Sequence, residues 1–129
     1  MNLENITETL TADLQIVHPK TKAQLGIVVT VAGPEHPKRK ALEFARARRM
    51  REQINLTGKM QLDDPEKAEE DAIDDLVAIT LGITGIDGFD FSAGAVRDLY
   101  TDPKRAWLRR QVADGRNNLE NFIEDSATA

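Results

Sequence analysis

One stretch, LQIVHPKTKAQLGIVVTVAGP from Leu14 to Pro34, limits the possible folds more than any other part of the chain, because it is the only part that reads as β-structure. Leu14 to His18 alternates into a strand that Pro19 stops, since proline supplies no ladder donor. Gly26 to Ala32 is β-branched almost throughout and runs into the strong punctuation of Gly33-Pro34. The simplest reading is two antiparallel strands joined by PKTKAQ. An isolated two-stranded hairpin is marginal in water, so this one must pack on helices or extend the sheet of a neighbouring subunit.

The rest of the sequence reads as helix. Lys38 to about Asn55 is rich in Ala, Leu, Arg, Glu and Met, with Gly58 as terminator. Its apolar stripe is narrow and interrupted by arginine, which excludes deep burial. Asp64-Pro65 supplies an N-cap and a proline at the first helical position of an acidic helix. In that helix Ala68, Ala72, Leu76, Val77 and Thr80 recur at helical spacing, and Gly82 and Gly85 are expected to end it. Ser92 caps a short helix presenting Val96, Leu99 and Tyr100 inward. A last helix is expected from Lys104 to about Phe122, with Leu108, Val112, Gly115, Leu119 and Phe122 spaced like a coiled-coil seam. The expected fold class is therefore mainly α (α+β): a two-stranded antiparallel hairpin followed by a bundle of about four helices. One domain spans 1–129, with 1–11 a flexible lead-in, 12–34 the hairpin, 35–124 the helical region and 125–129 a frayed tail.

Among 129 residues there is no cysteine, one Trp, one Tyr and four Phe, so disulfides and thiolate chemistry are excluded and the core must rest on aliphatic side chains. With no basic-then-apolar leader and no long apolar run, the chain is expected to be neither secreted nor membrane-spanning. The net charge of −5 hides two blocks of opposite sign. Lys38, Arg39, Lys40, Arg46, Arg48, Arg49 and Arg51 form a basic one. Asp63, Asp64, Glu66, Glu69, Glu70, Asp71, Asp74 and Asp75 form an acidic one. Complementary blocks make Arg46, Arg48, Arg49, Arg51, Glu69, Glu70, Asp74 and Asp75 candidates for contacts between subunits.

No constellation for catalysis is visible. His18 and His36 are the only histidines and each is followed by proline, without a nucleophile or metal-ligand partner at usable spacing. GITGIDG follows a helix rather than a strand and lacks the spacing of a phosphate loop. Asp87 and Asp90 lack the alternating ligands of a calcium loop. Neither an enzyme activity nor a cofactor nor a bound metal is expected. The stretch HPKRKALEFARARRMR resembles a nucleic-acid patch in isolation. It ranks below a protein contact, because the chain is acidic overall and Phe44 is its only aromatic.

Taken in order, these residues resemble the tail assembly chaperones of long-tailed bacteriophages. Members of that family carry a stretch of the form apolar-x-apolar-x-His-Pro-x-Thr-Gly-x-x-Leu-Gly, then an apolar strand and a Gly-Pro turn. Here it reads Ile16, His18, Pro19, Thr21, Leu25, Gly26, then Gly33 and Pro34. The charged helix, the acidic helix and FSAGAVRDLYTDPKRAWLRRQV follow in the family's order. Lys22 stands where the family has glycine, and Ile83 where a tryptophan often precedes a glycine. The resemblance implies a non-enzymatic protein of the host cytoplasm that self-associates, coats the tape measure protein and is absent from the mature virion. It also implies that this is the short form, with a longer frameshifted form recruiting the tail tube protein. The competing readings are a nucleic-acid-binding or regulatory protein using 38–51, and a structural component retained in the tail.

Overall fold

The computed structural model of the chain describes residues 2–59 and 64–125. After a single 3-10 turn come β1 (Ile6–Glu8), β2 (Thr11–Val17), β3 (Gln24–Ala32), α1 (Pro37–Thr57), α2 (Pro65–Ile79), β4 (Thr80–Thr84), α3 (Ala93–Thr101), α4 (Ala106–Asn117) and β5 (Ile123–Asp125). Further 3-10 turns at Pro103–Arg105 and Leu119–Phe122 flank α4.

This arrangement corrects the expected fold class. Helix makes up 56% and strand 22%, in two antiparallel sheets, which is an α+β fold rather than a hairpin leading a helix bundle. Of the three strands that sequence reading missed, β1, β4 and β5, β4 is the one that joins the hairpin. It pairs with β3, so the sheet runs β2-β3-β4 with β3 in the middle. A second, two-stranded sheet joins β1 to β5, placing Ile6 opposite Asp125 and Glu8 opposite Ile123. Residues 6–8 of the expected flexible lead-in are thus ordered by the far end of the chain, and β2 begins at Thr11. Of the expected frayed tail, only Asp125 lies among the described residues.

Alternation in β2 explains how the sheet is seated. Ala12, Leu14 and Ile16 are buried, while Thr11, Asp13 and Gln15 are exposed. Val29, Val31 and Ile83 continue the buried face on the neighbouring strands. On the outer face Thr30 donates its hydroxyl to Asp13 Oδ1 at 2.6 Å, a cross-strand pair. One face wet and one dry is the usual state of an antiparallel sheet. The dry face meets Leu76, Val77 and Ile79 of α2, Val96 and Tyr100 of α3, and Leu108 and Val112 of α4 in one hydrophobic cluster.

Two helix ends differ from the sequence reading for identifiable reasons. Helix α2 stops at Ile79 because Thr80 turns extended (ψ 114°) and hydrogen-bonds back to Leu76. The hydroxyl of Thr80 donates to the Leu76 carbonyl at 2.6 Å, so the Tyr100 hydroxyl, 2.8 Å away, is the donor to Thr80. Burial holds the Tyr100 phenol neutral and pushes its pKa up to about 12. Helix α4 ends at Asn117, and Asn118 caps the next turn by accepting from Glu120 N at 3.2 Å. The coiled-coil seam is therefore broken: Phe122 is buried from the turn, but Leu119 is exposed.

Gly85 fixes where β4 must finish. Its φ is +89°, and a Cβ there would overlap the Gly26 carbonyl of β3. A Cβ at Gly82, in the same strand, would meet no atom within 4 Å. Gly85→Ala is expected to lower the urea-unfolding free energy by about 3 kcal/mol or more, through backbone strain plus overlap. Gly82→Ala is expected to change it by less than about 1 kcal/mol.

Candidate functional site

The eight motif residues do not converge on a site. They occupy the two ends of the hairpin, about 25–30 Å apart along β3 at the rise of an extended strand. At one end His18 Nδ1 accepts from Lys20 N at 3.1 Å and Thr21 N at 3.2 Å, so its ring proton lies on Nε2. The Thr21 hydroxyl accepts from Ala23 N at 3.3 Å, and His18 N reaches Ala23 O at 2.8 Å. His-Pro-x-Thr therefore acts as a self-capping turn. Ile16 anchors it in the core, Leu25 is exposed, and Gly26 takes φ +76° where the β2–β3 register shifts.

At the other end Gly33 is buried and tightly overlaid. A Cβ there would lie 2.8 Å from Phe122 Cδ1, so glycine is required by close packing. Pro34 follows, half-buried, and opens the turn into α1, which His36 caps by accepting from Lys38 N at 3.1 Å. Both histidines thus spend Nδ1 on backbone amides.

The charge blocks are positioned by α1 and α2. Arg46 forms an ion pair with Asp75 and Arg97 with Asp74, while Arg109 lies 3.6 Å from Glu69. Four of the eight proposed contact residues are therefore engaged within the chain, holding α2 to α1, α3 and α4. Glu70 lines a shallow groove with Glu66, Glu69, Ile73, Arg97 and Thr101. Arg48, Arg49 and Arg51 are exposed and form no ion pair among the described residues. Asp63 of the acidic block lies outside the described residues.

The exposed arginines sit on an unusual platform. Helix α1 has 21 residues, about 31 Å at the α-helical rise, yet Arg39 is its only buried residue. Of its large apolar side chains, Leu42 packs against the core, whereas Phe44, Met50, Ile54 and Leu56 are exposed. Among the described residues the helix is held through its first half, by Arg39, Leu42 and Arg46, and its second half is mostly exposed. Its exposure follows from the interrupted apolar stripe, but the partners Arg97 and Arg109 left no local signal, since each lies more than 20 residues from its carboxylate.

Lys22 has φ +63°, the only positive value on a non-glycine residue among those described. The turn therefore holds a left-handed position with a Cβ in it. The Lys22 Nζ donates to Pro19 O at 3.2 Å in partial compensation. Lys22→Gly is expected to raise stability by about 0.5–1 kcal/mol in urea titration. Lys22→Ala, which keeps the Cβ, is expected to give no gain. No protein-family model, no curated protein and no solved structure matches the chain, so the reading of its function rests on these residues and their geometry.

Proposed function

We propose that the chain is a non-enzymatic tail assembly chaperone of a long-tailed bacteriophage, working in the host cytoplasm and absent from the finished particle. In this reading it self-associates, coats the tape measure protein, and acts with a longer frameshifted form that recruits tail tube subunits. The observation that carries the reading is the exposure of α1, which offers Phe44, Met50 and Ile54 to solvent beside Arg48, Arg49 and Arg51, while Arg39 is its only buried residue. A client that is long, helical and variable along its length calls for weak, adaptable apolar contacts with charges that orient them, rather than one deep pocket. The order of motif residues supplies the second support, since His18, Thr21, Gly26 and Gly33 each have a distinct structural task in the hairpin.

One observation favours a different class. Arg48, Arg49 and Arg51 lie without an ion pair among the described residues beside exposed Phe44, a combination suited to phosphates and bases. The acidic α2 and the net charge of −5 oppose it by repelling a polyanion.

Co-expression with the tape measure protein of the same genome tests the chaperone reading. The native chain is expected to increase soluble tape measure protein several-fold and to co-purify with it. The combined variant Phe44→Ser, Met50→Ser and Ile54→Ser should lose both effects while keeping its far-ultraviolet circular dichroism. Neither rescue nor co-purification with the native chain would contradict the reading, and a low-salt mobility shift on DNA or RNA would then favour the second.

A further inference from the structure

Two buried side-chain polar atoms lack a hydrogen-bond partner among the described residues, and they are Arg39 Nε and Arg116 Nε. Their coincidence in one place is informative, because native structures leave few such groups without water, an ion or a partner. Arg39 is 8% exposed at the base of α1. Its Nη1 donates to Ala32 O at 3.3 Å and to Arg116 O at 3.2 Å, tying the end of β3 to the end of α4. Its Nε is 3.5 Å from Glu43 Oε1, close enough for charge attraction without a formed hydrogen bond. Arg116 is half-buried and its guanidinium has neither an ion pair nor a hydrogen bond among the described residues.

The local charge does not balance. Arg39, Arg46 and Arg116 lie together with Glu43, and Asp75 is paired with Arg46, giving three guanidiniums against two carboxylates. Burial and then the neighbouring Arg39 lower the Arg116 pKa, the physical sign of a cation without an adequate counter-charge. The Nη atoms of Arg116, unlike its Nε, are not among the sealed and unpartnered atoms, so an incoming group can reach them.

We propose that Arg116, backed by Arg39, is a binding site for a single oxyanion of carboxylate or phosphate type. A planar guanidinium presents parallel donors that match two oxygens of such a group, and the half-buried setting strengthens the pairing over one in open water. A single small anion fits better than a polyanion, because the acidic α2 limits how much negative charge can gather nearby.

Thermal unfolding of the full chain, followed with inorganic phosphate, a capped tetraglutamate peptide or chloride at matched ionic strength, tests the site and separates the sources. The expected result is a saturable rise of about 3–5 °C at about ten times the dissociation constant, with phosphate or with the peptide but not with chloride. A response to phosphate alone identifies a free anion, and a stronger response to the peptide identifies a protein carboxylate. Arg116→Gln should abolish the rise, whereas Arg110→Gln, an equal change in net charge at an exposed position, should retain it. Arginine Nε–Hε resonances provide the second measurement: those of Arg116 and Arg39 should shift with the same saturation curve. Equal responses to chloride, no saturable response, or a response retained in Arg116→Gln would overturn the proposal.

Discussion

Strand β3 is hydrogen-bonded along both sides, by β2 and by β4, and the remaining elements are arranged around that fact. Val29, Val31 and Ala32 of this strand have no exposed surface. Burying each such side chain contributes roughly 1–2 kcal/mol, an upper value since the unfolded chain already hides some of its surface. A hairpin of β2 and β3 alone would leave one edge of these residues open to water. β4 closes it, and α2 and α4 can then lie on the dry face. Phe122 seals the end of β3 by packing on the bare backbone of Gly33, while Thr9 N donates to Phe122 O at 2.6 Å and brings the two termini together.

That arrangement divides the chain into a packed body and a helix with little stake in it. Arg39 and Leu42 anchor α1, and the Arg46–Asp75 pair steadies it against α2. Beyond these residues most of the helix surface is exposed, and strong helix formers and Gly58 in the left-handed conformation at its end support it. A helix left so exposed contributes little to folding, which makes its apolar residues available for something else. The same separation places a charge imbalance at the hinge of the two parts, where Arg39 and Arg116 meet.

How far the sequence disclosed this structure depended on how local each signal was. Asp64 before Pro65, Ser92 before Ala93 and Gly58 after Thr57 each act within one turn, and each sits where local chemistry placed it. The hairpin was legible because β-branched residues and punctuating prolines are also local. β4 was not: TLGIT follows an amphipathic helix directly, and its helix-ending feature is a hydrogen-bond chain to Tyr100, distant in sequence. β1 and β5 are three residues each, too short for any period to appear, and they exist only because the chain's ends meet. In the last helix the spacing of Leu108, Val112, Leu119 and Phe122 outweighed Asn117-Asn118, which was the turn signal. Gly33 reads in the sequence as turn punctuation, whereas in the structure it serves close packing and the left-handed turn position is held by Lys22.

The division into a sheet-centred body and a free helix is most directly tested by amide hydrogen exchange in dilute protein. The account predicts that the amides of Val29 and Val31 exchange only through global unfolding, while those of Ala47 to Ile54 in α1 exchange at least about a hundredfold faster through local opening. Protection of the second half of α1 equal to that of β3 would contradict it, because the helix would then be part of the body rather than held out from it.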